Sequence, residues 1–257
     1  MTSTPESPVI EFRNVSYHVA SANILRNLNL QVHAGEVLVL LGRSGSGKTT
    51  TLKLVNRLVS PTEGEVRVKG VPNTGTDLIR LRRGIGYVIQ DAGLFPHFTV
   101  AKNVGLVPKI AGWPEEKIRA RVEEMLHLTG LDPEIASRYP HQLSGGQRQR
   151  VGVARALAAD PEILLMDEPF GALDPLTRDE LQREFLSLQK RLRKTVLFVT
   201  HDLREAMRLG SRIALMEAGK LVTVLSPHDF LHSTDSWASA YVKAFGDLES
   251  ATAEGTS

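Results

Sequence analysis

Gly42-Arg43-Ser44-Gly45-Ser46-Gly47-Lys48-Thr49 is the stretch that decides the fold of this chain. Its spacing is G-x-x-x-x-G-K-Ser/Thr. Glycines recur there because backbone N–H groups must curl around an anion. That requires backbone angles closed to most residues and a path free of side chains. The apolar run Val37-Leu38-Val39-Leu40-Leu41 precedes the loop, and a helix-compatible segment, 48–58, follows it. A strand, a phosphate-cradling loop and a helix that aims its positive end at the anion are therefore expected. Lys48 is expected on the β- and γ-phosphates, and Thr49 offers its hydroxyl to Mg2+. Thr50 completes the expected phosphate-binding set.

Outward from this loop, short apolar runs recur at Val9–Phe12, Ile24–Val32, Glu65–Val68, Ile85–Ile89, Ile163–Met166, Val196–Val199, Ile213–Met216 and Leu221–Leu225. Each has strand length. Helical patterns lie between them: Pro114–Leu128, with the proline in the first turn; Arg148–Ala158; and Arg178–Lys194, with Leu181, Phe185, Leu188 and Leu192 on one face. Alternating strands and helices, with several strands apolar throughout, predict a mainly parallel sheet covered on both faces. Residues 91–157 carry no strand pattern and read as an inserted helical subdomain. Residues 1–8 and 246–257 are short of apolar residues and read as disordered tails around one domain, 9–245.

Ile163-Leu164-Leu165-Met166-Asp167-Glu168-Pro169 is a buried-type strand ending in two carboxylates. Ligands sit at the carboxyl ends of parallel strands, so both acids are expected at the phosphates. Asp167 suits a water-mediated hold on Mg2+, and Glu168 suits orientation and deprotonation of an attacking water. Leu143-Ser144-Gly145-Gly146-Gln147 opens a second helix. Ser144 and Gln147 have capping-box spacing, which a helix needs for its own sake. The two glycines also expose N–H groups at a helix N-terminus, which is an anion site. The two readings stand side by side.

Composition narrows the partners. Lys plus Arg number 31 and Asp plus Glu 29, a net charge of +2, which gives no electrostatic case for nucleic acid. There is no cysteine, which excludes disulfides, iron–sulfur clusters and thiol catalysis. No apolar run approaches the ~20 residues of a membrane helix. The first eight residues have neither a basic start nor an apolar stretch, so no signal peptide is expected. Of the eight histidines, the seven other than His201 show no metal pattern, and His228 and His232 read as surface residues.

Leu-Ser-Gly-Gly-Gln, lying between a phosphate loop and an acidic strand end, resembles the signature of the ATP-binding-cassette ATPases. The likeness extends over about 9–245. It implies a phosphate-loop NTPase (RecA-like) α/β core with a mainly parallel sheet, an N-terminal antiparallel β portion and a helical subdomain. It also implies ATP, Mg2+ and a homodimer in which each copy completes the other's ATP site. By that resemblance Gln90 matches the Q-loop glutamine that contacts Mg2+ and water, His201 the switch histidine at the γ-phosphate, and Asp174 the D-loop at the dimer interface. Ser144, Gly146 and Gln147 match the signature that meets the partner's ATP. Read without the resemblance, Gln90 and His201 are polar loop residues. The family stacks adenine on an aromatic residue. By distance from Gly42 that place falls near Val19; either Tyr17, on the same face of a strand, substitutes, or adenine is held weakly.

Gly86 to Val100, Leu106-Val107-Pro108-Lys109 and Tyr139-Pro140-His141-Gln142 resemble subunits that energise import of quaternary amine osmoprotectants such as glycine betaine, choline or carnitine. The implied setting is the cytoplasmic face of the cell (inner) membrane. The partners there are separate permease subunits and, indirectly, an extracytoplasmic substrate-binding protein. Many relatives carry a C-terminal regulatory pair of cystathionine-synthase type, and none is expected here. A cassette serving another transport system (lipid, amino acid or export), or a soluble non-transport ATPase, is the alternative.

Overall fold

The computed structural model describes residues 7–90 and 92–244. The expected tails at 1–8 and 246–257 lie outside the described residues, except Ser7 and Pro8. β1 (Ile10–Val19), β2 (Ala22–Val32), β4 (Glu63–Val68) and β5 (Val71–Pro72) form an antiparallel sheet in the order β2-β1-β4-β5. The second sheet has the order β10-β9-β3-β8-β7-β6. Its strands are β3 (Val37–Leu41), β6 (Ile85–Val88), β7 (Ile163–Asp167), β8 (Thr195–Thr200), β9 (Arg212–Glu217) and β10 (Lys220–Leu225). All its pairings are parallel except that of β10 with β9.

β3 explains why its sequence is apolar without a break. Val37, Val39 and Leu41 enter one core, with α5 (Glu115–Leu128), α6 (Gly145–Leu157), α7 (Pro175–Leu192) and α8 (Leu203–Leu209). Leu38 and Leu40 enter another, with α1 (Lys48–Val55) and the antiparallel sheet. A strand buried on both faces has no solvent side on which to alternate. Between β6 and β7 the described residues hold helices and 3-10 turns and no strand, with α3 (Val100–Val104) and α4 (Leu106–Ile110) added to α5 and α6. These two short helices escaped the sequence reading because Gly105 and Pro108 interrupt their periodicity. α2 (Leu78–Arg83), α9 (Pro227–Leu231) and the helical stretch 236–244 are the other α-helical segments of the described residues.

Several boundaries differ from expectation. Pro114 is the N-cap of α5 and lies outside the first turn. α7 starts at Pro175, three residues before Arg178, because Asp174 caps it; it stops at Leu192, where Arg193 turns left-handed at φ 46°. α1 ends at Val55 and Arg57 is left-handed, so the helix does not reach Leu58. β6 stops at Val88, one residue before Ile89.

Register sets the site. Leu41 lies level with Thr200, Val199 with Asp167, and Met166 with Val88. The residues that follow β3, β8, β7 and β6 therefore emerge along one edge, the carboxyl edge where α/β sheets take their ligands.

Candidate functional site

The phosphate loop leaves β3 at Gly42. A Cβ there would fall 2.3 Å from the Met216 carbonyl of β9, so no other residue fits. Gly47 has φ 99°, and a Cβ on it would meet Leu25 Cδ2 at 2.5 Å. Gly47 is also the N-cap of α1 and supplies no side-chain hydrogen bond. The first N–H groups of that helix thus stay free for an outside acceptor. Arg43, Ser44 and Gly45 form the exposed rim, Ser46 is buried, and Thr50 is half-buried behind Thr49.

Lys48 is 4% exposed. Its Nζ donates to the carbonyls of Gly42 at 2.7 Å and Arg43 at 2.9 Å, strapping the loop closed. Burial holds its pKa below the ordinary lysine value, against the pull of Glu168, Asp167 and Glu217. Ser46 Oγ is buried without a partner. A glycine loop closed to side chains, an uncapped helix start, a buried cation and an orphaned hydroxyl together fit a polyphosphate.

Thr49 Oγ1 donates to Asp167 Oδ1 at 2.9 Å. Asp167 is buried, and desolvation, with Glu168 beside it, raises its pKa against the Thr49 bond. Among the described residues no group of three or more His, Cys, Asp or Glu is disposed to hold a metal. Mg2+ does not need one, since it binds through one or two protein oxygens plus phosphate and water. The Thr49 hydroxyl and the Asp167 carboxylate are hard oxygens beside the phosphate cradle and fit that ion.

Glu168 follows β7 in the left-handed region at φ 44°, with its N–H on the Val199 carbonyl at 3.0 Å. Such backbone strain in a non-glycine residue costs on the order of 1 kcal/mol and turns the side chain away from the strand's alternation. Its Oε2 lies 3.0 Å from His201 Nδ1. The two neighbouring acids thus face different ways, Asp167 to the phosphate loop and Glu168 to the imidazole. Below them Phe170, Phe185 and Phe198 pack with centroids 5.8–6.4 Å apart and fix the loop.

Gln90 lies two residues beyond β6 and is exposed; Asp91, next to it, lies outside the described residues. Tyr17 is half-buried against the core and pairs across to Leu25, the residue beneath Gly47. Irregular register on either side of Tyr17 breaks simple alternation in β1, and Val19 is exposed. Tyr17 is therefore one strand from the phosphate loop and anchored.

At the signature, Ser144 Oγ accepts from the Gln147 N–H at 3.2 Å, and Gln147 Oε1 accepts from the Ser144 N–H at 3.0 Å. The capping box exists, and it leaves the N–H groups of Gly145 and Gly146 at the helix start. A Cβ on Gly146 would sit 2.6 Å from Thr177 of α7, so the signature packs on the helix that Asp174 caps. α6 packs on β6, three strands from β3. That contact is made at the far end of α6, where the Ala156 carbonyl lies over Gly86, while the signature opens the other end against Leu173 and Thr177.

Two contributors escaped the sequence reading. Tyr87 places its hydroxyl 3.5 Å from Asp167 Oδ2, and burial beside that carboxylate drives its pKa well above the ordinary tyrosine value. Glu205 is an acid on the buried face of α8, between Leu203 and Ala206. A polar tip in an apolar strand and an acid in an apolar stripe are the signals that mark them.

The model of the family described as ABC transporter matches residues 25–171. The chain belongs to the ABC transporter family. It is 53% identical over 209 residues to "Choline transport ATP-binding protein OpuBA" of Bacillus subtilis (strain 168), covering 81% of this chain and 55% of that one. It is 49% identical to "Glycine betaine uptake system ATP-binding protein YehX" of Escherichia coli (strain K12), covering 85% of this chain and 71% of that one. The cassette fold is shared with the solved "Dimeric structure of a post-hydrolysis state of the ATP-binding cassette MJ0796 bound to ADP and Pi". The TM-score is 0.77 and the identity 36%, over 85% of this chain and 98% of that one. The ABC chain spans little more than half the length of most of the curated relatives it matches.

Proposed function

We propose that this chain is the ATP-hydrolysing subunit of an ABC importer for quaternary amine osmoprotectants: glycine betaine, choline or carnitine. One observation carries the hydrolytic part. The phosphate cradle, the Thr49–Asp167 pair and the Glu168–His201 pair stand on one sheet edge. Names of relatives such as OpuBA and YehX support the cargo. Among the described residues no helix is long and apolar enough to cross a membrane. That agrees with work on separate permease subunits at the cytoplasmic face of the cell membrane, fed by an extracytoplasmic substrate-binding protein.

Residues Gly42 to Thr50 hold the phosphates, and Lys48 trades its two carbonyl partners for the β- and γ-oxygens. Tyr17, anchored across from Leu25, is the aromatic assigned to adenine. Thr49 and Asp167, with Gln90 at the rim, hold Mg2+, which when bound draws charge from the β- and γ-oxygens. Glu168 engages His201 through one carboxylate oxygen and has the other for a water. It takes that water's proton as the oxygen adds to the γ-phosphorus and the bond to ADP breaks. His201, held on Glu168, is the side chain that contacts the γ-phosphate.

Ser144, Gly146 and Gln147 act in the second copy's site, with Asp174 at the same interface. The two half-sites that each chain carries, one at Gly42 to Thr49 and one at Ser144 to Gln147, are joined across copies by two-fold pairing. The γ-phosphate then favours the closed dimer by binding both halves.

Glu168→Gln tests this reading. MgATP affinity should hold, turnover should fall at least about a hundredfold, and the variant should run as a dimer with ATP and Mg2+ in size-exclusion chromatography. Wild-type turnover removes Glu168 as the base. In cells at high osmolarity the same variant should stop uptake of labelled glycine betaine, choline and carnitine. Undiminished uptake of all three overturns the cargo.

A further inference from the structure

Beneath His201 runs a chain of buried polar side chains that the hydrolytic reading leaves without a task. Glu205 of α8 is 4% exposed. Its Oε2 accepts from the Thr200 hydroxyl at 2.6 Å, and its Oε1 accepts from Gln182 Nε2 of α7 at 3.1 Å. Gln182 is also buried, and its Oε1 accepts from Arg208 at 3.1 Å. Thr200 Oγ1 in turn accepts the N–H of Asp202 at 3.0 Å. The residues on either side of His201 are thus both tied to Glu205.

The acid is not there to cap α8. Asp202 does that, accepting from the Arg204 N–H at 2.7 Å. Nor does it serve packing. Burial raises its pKa, and an apolar side chain on this apolar stripe would avoid the desolvation penalty. What the carboxylate supplies is two acceptors at fixed places, one for the strand end and one for the neighbouring helix. Gln182 cannot turn its amide over without losing Arg208, so the order of donors and acceptors along the chain is fixed.

We infer that Glu205 is a positioning residue: it clamps the Thr200–His201–Asp202 turn so that the His201 imidazole meets Glu168, with Gln182 and Arg208 holding the clamp. The inference rests on reading Glu168 and His201 as the hydrolytic pair.

Glu205→Gln in the full chain is the test, read by steady-state turnover of ATP with Mg2+. The new amide keeps the volume and can still accept from Thr200, but its NH2 then faces the NH2 of Gln182. Turnover should fall about tenfold with KM for ATP changed less than about twofold. Exchanging the pair, Glu205→Gln with Gln182→Glu, lets the amide donate to a carboxylate that still accepts from Arg208. Turnover should return to within about threefold of wild type. In a His201→Ala background, Glu205→Gln should lower turnover no further.

Effects of Glu205→Gln and His201→Ala that multiply, or an exchanged pair that stays slow while folding normally by thermal unfolding, overturn the clamp. If Glu205→Gln does not fold, Gln182→Met carries the same comparison with His201→Ala, and multiplying effects again overturn it. A wild-type chain that leaves ATP intact sinks the hydrolytic reading and the clamp together. A wild type that hydrolyses ATP while the effects multiply sinks the clamp alone.

Discussion

The chain carries two helix starts suited to anions, and they are built on opposite plans. At the phosphate loop, α1 begins at Gly47 with no side-chain cap, a buried lysine crosses the ring, and the Ser46 hydroxyl has no partner. At the signature, α6 begins with a closed capping box, and Ser144 and Gly145 lie at the surface. The first site leaves donors buried and unspent, which is unfavourable until an anion arrives. The second has satisfied part of its own need and has only its remaining N–H groups to offer. Affinity for nucleotide should therefore reside in the first site, while the second adds to it only when a second copy presents it.

The largest effect is expected from Lys48→Ala. It removes the buried cation and its hydrogen bonds to the Gly42 and Arg43 carbonyls, the second of which keeps the Ser46 N–H. MgATP affinity by isothermal titration should fall about a hundredfold or more. Unchanged affinity would mean that the anion is held elsewhere, and the two sites would lose their ranking.

This asymmetry was partly legible in the sequence. Gly42 to Thr49 and Ile163 to Glu168 announced a loop and an acidic strand end, because backbone geometry and burial restrict residue type there. The core strand was equally plain, since Val37 to Leu41 is apolar on both faces. Ser144 and Gln147 showed the capping box by spacing alone. Other features are relations across the fold. That Asp167 turns to Thr49 while Glu168 turns to His201 depends on a left-handed residue and on strand register. No local pattern states either. Tyr87 and Glu205 gain their partners from β7 and from α7, far along the chain. Gln90 and His201 look like ordinary loop polars until the sheet order puts their strands on one edge.

A smaller effect is expected from Ser144→Ala. Losing the N-cap hydroxyl should cost about 1 kcal/mol. That lowers the unfolding temperature of a chain this size by roughly 2–4 °C. On the division drawn above, MgATP affinity of the separate chain should stay within about twofold, while turnover, which needs the paired form, falls. A Ser144→Ala chain that binds MgATP as poorly as Lys48→Ala would show that the signature belongs to the primary site.

The smallest and sharpest effect is in protons, and only the phosphate-loop side should show it. Burial depresses Lys48, so between its folded pKa and the ordinary ~10.4 of lysine the fold binds fewer protons than the unfolded chain. Stability contributed by this group therefore rises with pH across that window. Phosphate beside Nζ favours the ammonium and lifts the pKa back, so ATP binding at alkaline pH should take up part of a proton. Asp167 has the opposite sign. Its raised pKa gives stability that is full at low pH and is lost as pH rises through the folded value. A cation at Thr49 and Asp167 needs the ionised form, so MgATP binding on the acid side should release protons. Titration calorimetry in buffers of different ionisation heat measures both. Lys48→Met should erase only the alkaline uptake and Asp167→Asn only the acid release, with Ser144→Ala leaving both in place. Should Ser144→Ala alter either arm as much as the phosphate-loop variants do, the two helix starts act as one site, and the contrast between a primed cradle and a self-satisfied one fails.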